Sequence, residues 1–340
     1  IRPEPVEGLI KTHGSTSSPR TEEENDPTQM VQDIWTRFEQ AKTFGSLIDI
    51  PAKYEPVLKA LLSKLADIEQ TGSFLQRPAA QDLKPIIQQA WLLAQRYDAI
   101  IANPPYMGGG GMNTDLKKFA KDNFPNSKSD LFTVFIERCL DMGVKNSQLG
   151  LVTPYVWMFI RSYQKVRERV IDKHTLSSLI QLEYNAFAPA CIPVCAFTIS
   201  KAHVSGYKSD FIRLSEFKGH QNQAPKTLEA IKNRECGWFY YTKPDDFKKI
   251  PSYPIAYWVN NNVINLFDQD KVIGNSARAR RGLETGNNEK FIKHWFEIDF
   301  HLFSPSKNPV ISYVPYHKGG VARKWFPCST LCLHWINDGD

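Results

Sequence analysis

The residues with the clearest chemical meaning in this 340-residue chain stand together at Asn103-Pro104-Pro105-Tyr106. A residue before proline is driven out of the helical region into an extended one. Two successive prolines then fix φ twice and remove two backbone donors. Asn103 is therefore held stiffly, with a side-chain carbonyl free to accept. The Pro104 carbonyl lies beside it, and Tyr106 offers an aromatic face on which a base could stack. This set suits one problem. The exocyclic amine of a nucleobase is a poor nucleophile because its lone pair is conjugated into the ring. Two acceptors aimed at its two N–H bonds pull the nitrogen toward a tetrahedral geometry and localise that pair. A positively charged sulfonium donor could then lose a methyl group to the nitrogen by in-line displacement, the proton leaving afterwards. Such a base must leave its duplex, and stacking on Tyr106 would offset part of the unstacking cost of a few kcal/mol.

Other residue groups carry less. Asn-Pro-Pro is also a common turn after a strand; what sets it apart here is the apolar run before it and the glycines after it. Gly108–Gly111 lack the Gly-Lys-Ser/Thr ending of a phosphate loop. They read instead as a mobile loop that closes over the extruded base, or as a plain linker. The six cysteines are too sparse for a disulfide framework, so a reducing, cytoplasmic setting is expected. Cys191/Cys195 and Cys328/Cys332 have C-x-x-x-C spacing, but the pairs stand too far apart for a zinc finger, and the histidines show no ligand spacing; no metal is assigned. The formal charge of +6 permits a polyanionic partner without requiring one. Arg278, Arg280 and Arg281 form one basic cluster and Lys318, Arg323 and Lys324 a second. Both suit phosphates and guanine edges, and both equally suit a solvated face.

The elements that must position these residues follow from periodicity. Residues 1–27 are rich in Pro, Ser, Thr and Glu and read as a disordered tail. From Asp26-Pro27, apolar residues at helical spacing predict helices through Met30–Ala41, Val57–Ile68 and Leu83–Ala94, with stripes that face a core. Asp98–Ala102, "DAIIA", is a short unalternating apolar run, the mark of a strand buried on both faces. A helix from Asp130, a strand at Leu149–Pro154, a helix over "SYQKVRERVID", and strands at Leu176–Leu182 and Val194–Ser200 follow. This alternation predicts a doubly wound α/β sheet. Ligands of such sheets bind at the carboxyl ends of the strands, where Asn103 falls. Past residue 205 aromatics and prolines become frequent and helical spacing fades, so a domain boundary is expected near 200–210. No stretch approaches the ~20 apolar residues of a membrane helix, and no membrane partner is expected.

The run "YDAIIANPPYMGGGGMN", with "SKSDLFTVFIERCLDMG" and "VTPYVWMF", resembles the adenine-specific DNA methyltransferases of the BREX phage-defence system. "RRGLETGNNEKF" and "YHKGGVARKWF" extend the likeness to roughly residues 29–327. The resemblance implies a Rossmann-like methyltransferase core using S-adenosylmethionine, with N6-methylation of adenine in double-stranded DNA. Asn103, Pro104, Pro105 and Tyr106 then carry the family's catalytic motif. It also implies a domain plan: helices over 28–95, the carboxyl-terminal part of the catalytic core over 96–204, and a mixed α+β target-recognition region from 205. Other subunits of a defence complex are implied partners. The family's glycine-rich cofactor motif lies upstream of its NPPY and has no counterpart here, so the chain reads as an internal fragment. Two further readings fit the same residues: a DNA- or partner-binding module without catalysis, and an NPPY enzyme acting on RNA or protein glutamine.

Overall fold

The computed structural model describes residues 27–187, 191–268, 277–278, 283–304, 312–318 and 330–336. The expected tail at 1–27 lies outside them except for Pro27, which opens the first helix. The chain divides into two compact units, residues 1–270 and 271–340.

The first unit opens with helices α1 (Pro27–Phe38), α2 (Ala41–Phe44), α3 (Glu55–Thr71) and α4 (Gln76–Ala94). Their buried residues follow the apolar spacing: Met30 and Ile34, Leu58 and Leu65, Ile87, Ala90 and Ala94 form one core. Trp35, which the spacing assigns to that core, is 60% exposed. It faces a cavity of about 1100 Å³ that Phe38, Lys42, Gln89 and Asp115 also line. Between α3 and α4 the chain turns at Gly72. A Cβ there would come within 2.5 Å of the Ile68 carbonyl oxygen, which no side chain tolerates.

Next come strand β1 (Tyr97–Ala102), α5 (Thr114–Asn123), α6 (Leu131–Met142), β2 (Gly143–Pro154), α7 (Gln164–Lys173), β3 (Thr175–Gln181), β4 (Val194–Ser200), β5 (Ser209–Arg213), α8 (His220–Lys232) and β6 (Phe239–Thr242). The strands form one sheet in the order β1-β2-β4-β3-β5-β6. β1 runs parallel to β2, and β3 to β5, while β4 and β6 are antiparallel to their neighbours. Four strands therefore point the same way, and their carboxyl ends share one edge. The expected α/β, Rossmann-like core is present, with β4 inserted antiparallel between β2 and β3. Phe132, Ile136 and Leu140 of α6 and Val166, Val170 and Ile171 of α7 pack on Leu149, Leu151, Leu176, Leu179, Phe197 and Ile199 of the sheet. Cys195 is fully buried in this layer, and burial pushes its thiol up to about 12.

Three expectations change. β1 is not buried on both faces: among the described residues it is the sheet's terminal strand, and Ile101 is 90% exposed. An apolar run reports composition, whereas burial depends on which strands pair beside it. The polar helices α5 and α8 were not foreseen. Asn113 caps α5 by accepting from the Leu116 N–H at 2.8 Å, and α8 carries Pro225 inside it. Nor does the sheet end near residue 205, since β5 and β6 extend it to Thr242 and the division between units falls at 270.

The second unit contains a three-stranded antiparallel sheet of Ile292–His294, Tyr313–Tyr316 and Leu331–His334, the last in the middle. Among the described residues no helix is long and apolar enough to cross a membrane.

Candidate active site

β1 delivers Asn103 to the carboxyl edge of the sheet, and the side chain of Asn103 is exposed there. Pro104 is buried, Pro105 exposed and Tyr106 half-buried. The Tyr106 hydroxyl lies 3.0 Å from Asn103 Oδ1 and 3.2 Å from the Val152 carbonyl oxygen of β2. Its single proton serves one acceptor at a time; given to Oδ1, it holds the Asn103 amide in place. Oδ1 keeps a second lone pair for an incoming N–H. Among the described residues no donor engages the Pro104 carbonyl. The Tyr106 ring stands edge-on to Phe132, with centroids 6.3 Å apart and planes at 84°. Burial raises the Tyr106 phenol above its ordinary range, so the hydroxyl stays protonated as the bond to Oδ1 requires.

The glycine-rich loop is pinned at its start. Met107 donates its N–H to Asp130 Oδ1 at 3.0 Å, and the Met107 carbonyl accepts from Leu131 at 3.0 Å. Gly109 donates to the Ser129 carbonyl at 3.1 Å, and Gly111 closes a turn on the Gly108 carbonyl at 2.8 Å. None of the four glycines has positive φ. What the turn uses is small size: a Cβ on Gly111 would meet Met107 Cγ at 3.0 Å. Asp130 also caps α6 at the Phe132 N–H, 3.3 Å away. Desolvation raises its carboxyl above the ordinary range despite those donors.

A wall continues along the same edge from the end of β2. Tyr155–Ile160 is held by Arg167, a residue of α7 with no exposed surface. Its guanidinium donates to the Trp157 carbonyl at 2.6 Å, the Ile160 carbonyl at 2.8 Å and the Ser252 carbonyl at 2.8 and 3.1 Å. Ser252 and Tyr253 hold φ of 72° and 54°, a left-handed backbone that side-chain-bearing residues adopt only when fixed from outside. The Ile255 N–H then donates to the Met158 carbonyl at 2.9 Å. These links bring Trp258 against Phe159, with ring centroids 5.6 Å apart, and Arg213 stacks over Trp258 at 4.8 Å. Phe159, Trp258 and Arg213 thus form one row of contacts past the ends of β2 and β5, on the sheet edge to which β1 also delivers Asn103.

Arg167, Arg213 and Trp258 carry no motif. Arg167 did have one readable signal: it sits three and four residues before Val170 and Ile171, on the apolar stripe of its helix, where a charge must find buried partners. Of the predicted basic clusters, Arg278 and Lys318 are exposed residues of the second unit. Arg280, Arg281, Arg323 and Lys324 lie outside the described residues, as does Cys328. The Thr285-Gly286-Asn287 turn forms with Gly286 at φ 65° and Asn287 accepting from the Lys290 N–H at 3.1 Å. Among the described residues no group of three or more His, Cys, Asp or Glu could hold a metal ion.

Residues 28–187 match the sequence model of the Eco57I restriction-modification methylase family. The chain is 40% identical over 306 residues to the adenine-specific methyltransferase BrxX of Escherichia coli O9:H4 (strain HS), covering 89% of this chain and 25% of that protein. It is 30% identical over 328 residues to the adenine-specific methyltransferase PglX of Lacticaseibacillus casei (strain Zhang), covering 91% and 27%. The chain spans about a quarter of the length of these curated relatives. Among solved structures it is similar to a nuclease-deletion mutant of the type ISP restriction-modification enzyme LlaGI in complex with a DNA substrate mimic. That similarity is 12% identity over 59% of this chain and 18% of that chain, at a TM-score of 0.40.

Proposed function

We propose that this chain is the segment of a BREX-type adenine-specific DNA methyltransferase that receives and activates the target base. One observation supports the reading. Asn103 is exposed at the carboxyl edge of an α/β sheet, and the carbonyl of Pro104, next in sequence, accepts no hydrogen bond among the described residues. Its relatives act on adenine, whose N6 carries two N–H bonds for those two acceptors.

The activation needs no strong base. Asn103 Oδ1 takes one N–H of the extruded adenine and the Pro104 carbonyl the other. The two bonds draw the lone pair of N6 out of conjugation and point it away from the pair of acceptors. Tyr106 holds the Asn103 amide in register through its hydroxyl. The methyl donor is S-adenosylmethionine, whose sulfonium supplies the carbon. Among the described residues, helices α1–α4 precede β1, with no strand-to-glycine turn to cradle a nucleoside. The described residues before β1 therefore do not form a pocket for the donor.

Double-stranded DNA is the proposed substrate, and other subunits of a defence complex the proposed partners, in the cytoplasm. Arg278, Arg280, Arg281, Lys318, Arg323 and Lys324 are proposed phosphate contacts of a target-recognition region. The test is methyl transfer from labelled S-adenosylmethionine onto duplex DNA, RNA and peptide side by side, using the full-length protein that carries this segment. The reading requires label on adenine N6 of duplex DNA. Label on RNA or on peptide glutamine alone would replace it.

A further inference from the structure

At the opposite end of the sheet from Asn103, an open groove of about 800 Å³ runs along β6, the terminal strand on that side among the described residues. Nothing in the proposed chemistry uses it. Its character is mixed in a particular way. Tyr241 is 55% exposed and stands beside half-buried Tyr240 and Trp258. Lys208 lies over the Tyr241 ring at 5.1 Å, Lys243 is exposed, and Lys249 sits 3.4 Å from both Asp246 Oδ1 and Asn265 Oδ1. Asn260 and Asn261 add neutral amides that both donate and accept.

Three features decide what fits. The lysines are spread along an open groove and do not converge on one point, which suits a repeated anion better than a single small one. The cations are lysines, point charges that suit the phosphates of a backbone without reading its bases. And Trp258 belongs both to this groove and to the row at the carboxyl edge, through Phe159 at 5.6 Å and Arg213 at 4.8 Å. Trp258 therefore links the groove to Phe159, which follows β2, and to Arg213, the last residue of β5. Asp246 is the counter-charge within it, and Asp210 pairs with nearby Arg234 at 3.2 Å, so the cations outnumber the carboxylates.

We infer that this groove binds the nucleic-acid backbone at a distance from the methylated base, a reading that rests on DNA as the substrate. Across the six-stranded sheet, β1, which ends beside Asn103, and β6 are five spacings of about 4.8 Å apart, or about 24 Å. At about 3.4 Å per base pair, that is roughly seven base pairs of duplex. A duplex shorter than that span reaches the groove or Asn103, not both at once.

The experiment is fluorescence-anisotropy binding of this chain to labelled duplexes of 6 and 24 base pairs as a function of salt. The comparison is wild type against Lys208→Gln/Lys243→Gln/Lys249→Gln, and against Lys243→Glu alone. Urea midpoints confirm that both variants fold. Three lost phosphate contacts lower the slope of log K against log salt by about two to three. For the 24-base-pair duplex, affinity at low salt falls tenfold or more and Lys243→Glu falls in the same direction; the 6-base-pair duplex, which covers one place at a time, loses less. An unchanged slope on the long duplex, or no duplex binding by wild type, overturns the groove. Loss of binding to fluorescein-labelled polyglutamate with the duplex slope intact would assign the groove to an acidic protein segment instead. A duplex of guanine and cytosine alone separates the two ideas. The groove predicts the same slope difference there, whatever becomes of adenine methylation.

Discussion

Replacing Arg167 by Met tests whether the wall beside the candidate site is built as described. The guanidinium is fully buried and satisfies three backbone carbonyls, those of Trp157, Ile160 and Ser252. Each buried carbonyl left without a donor costs about 1–3 kcal/mol, so three cost roughly 3–9 kcal/mol. Against this, removing the charge relieves its desolvation. Burial holds the Arg167 guanidinium down at about 10, a cost of about 3 kcal/mol. The methionine stem keeps most of the packing. The net loss is on the order of 3 kcal/mol, which is a large share of a domain's stability. Urea unfolding followed by tryptophan fluorescence reads it directly, as a lower midpoint at unchanged m-value. Lys at this position does not rescue, because one ammonium cannot span three carbonyls in the fork geometry of Arg. A loss below about 1 kcal/mol for Arg167→Met, or full rescue by Lys, would refute the clamp.

Arg138 makes a comparable tie, donating to the Ile48 carbonyl at 2.6 Å, the Ser46 carbonyl at 3.1 Å and Asp49 Oδ1 at 2.6 Å. Arg138→Met is expected to free residues 45–50, read as faster proteolysis there with about 2–3 kcal/mol lost in unfolding. Burial, with Arg169 and Lys201 nearby, holds the His174 imidazole down at about 4. A depressed base contributes stability above the ordinary histidine range near 6.5, lost as pH falls toward 4. Wild type should therefore lose up to about 3 kcal/mol relative to His174→Asn between those limits, measured by urea midpoints. Asp130 behaves oppositely. Its carboxyl is raised by desolvation, so its neutral form is favoured in the fold, and stability is lost as pH rises from the ordinary aspartate range near 4. Asp130→Asn keeps an acceptor for Met107 and should gain on wild type from pH 4 to 7; a constant difference across that range would contradict the assignment.

What could be read from the residues was local. Asn103 at a strand's carboxyl end follows from the constraint that proline places on its predecessor, and it stands there. β4 spans the residues that its apolar run marked, and Gly72 ends α3 for a steric reason visible in one residue. What could not be read was pairing. No composition tells that β1 is terminal, that β4 runs antiparallel between β2 and β3, or that β5 and β6 join the same sheet. The early part of β2 was missed because Lys145-Asn146 is polar and Asn146 holds φ of 67°. α5 was hidden behind four glycines, and α8 behind an internal proline. Arg138 and Arg167 find their partners up to 92 residues away in sequence, a distance at which spacing carries no information. The aromatic row from Phe159 to Trp258 belongs to the same class.

The most direct test of the central claim is Asn103→Ala in the full-length protein that carries this segment, scored for label transferred from S-adenosylmethionine to adenine N6 in duplex DNA. An acceptor that polarises the amine only during transfer is removed, so transfer should fall by a factor of 100 or more. Duplex affinity should stay within about threefold of wild type, since the phosphate contacts are untouched. Transfer at the wild-type rate by the alanine variant would contradict the account.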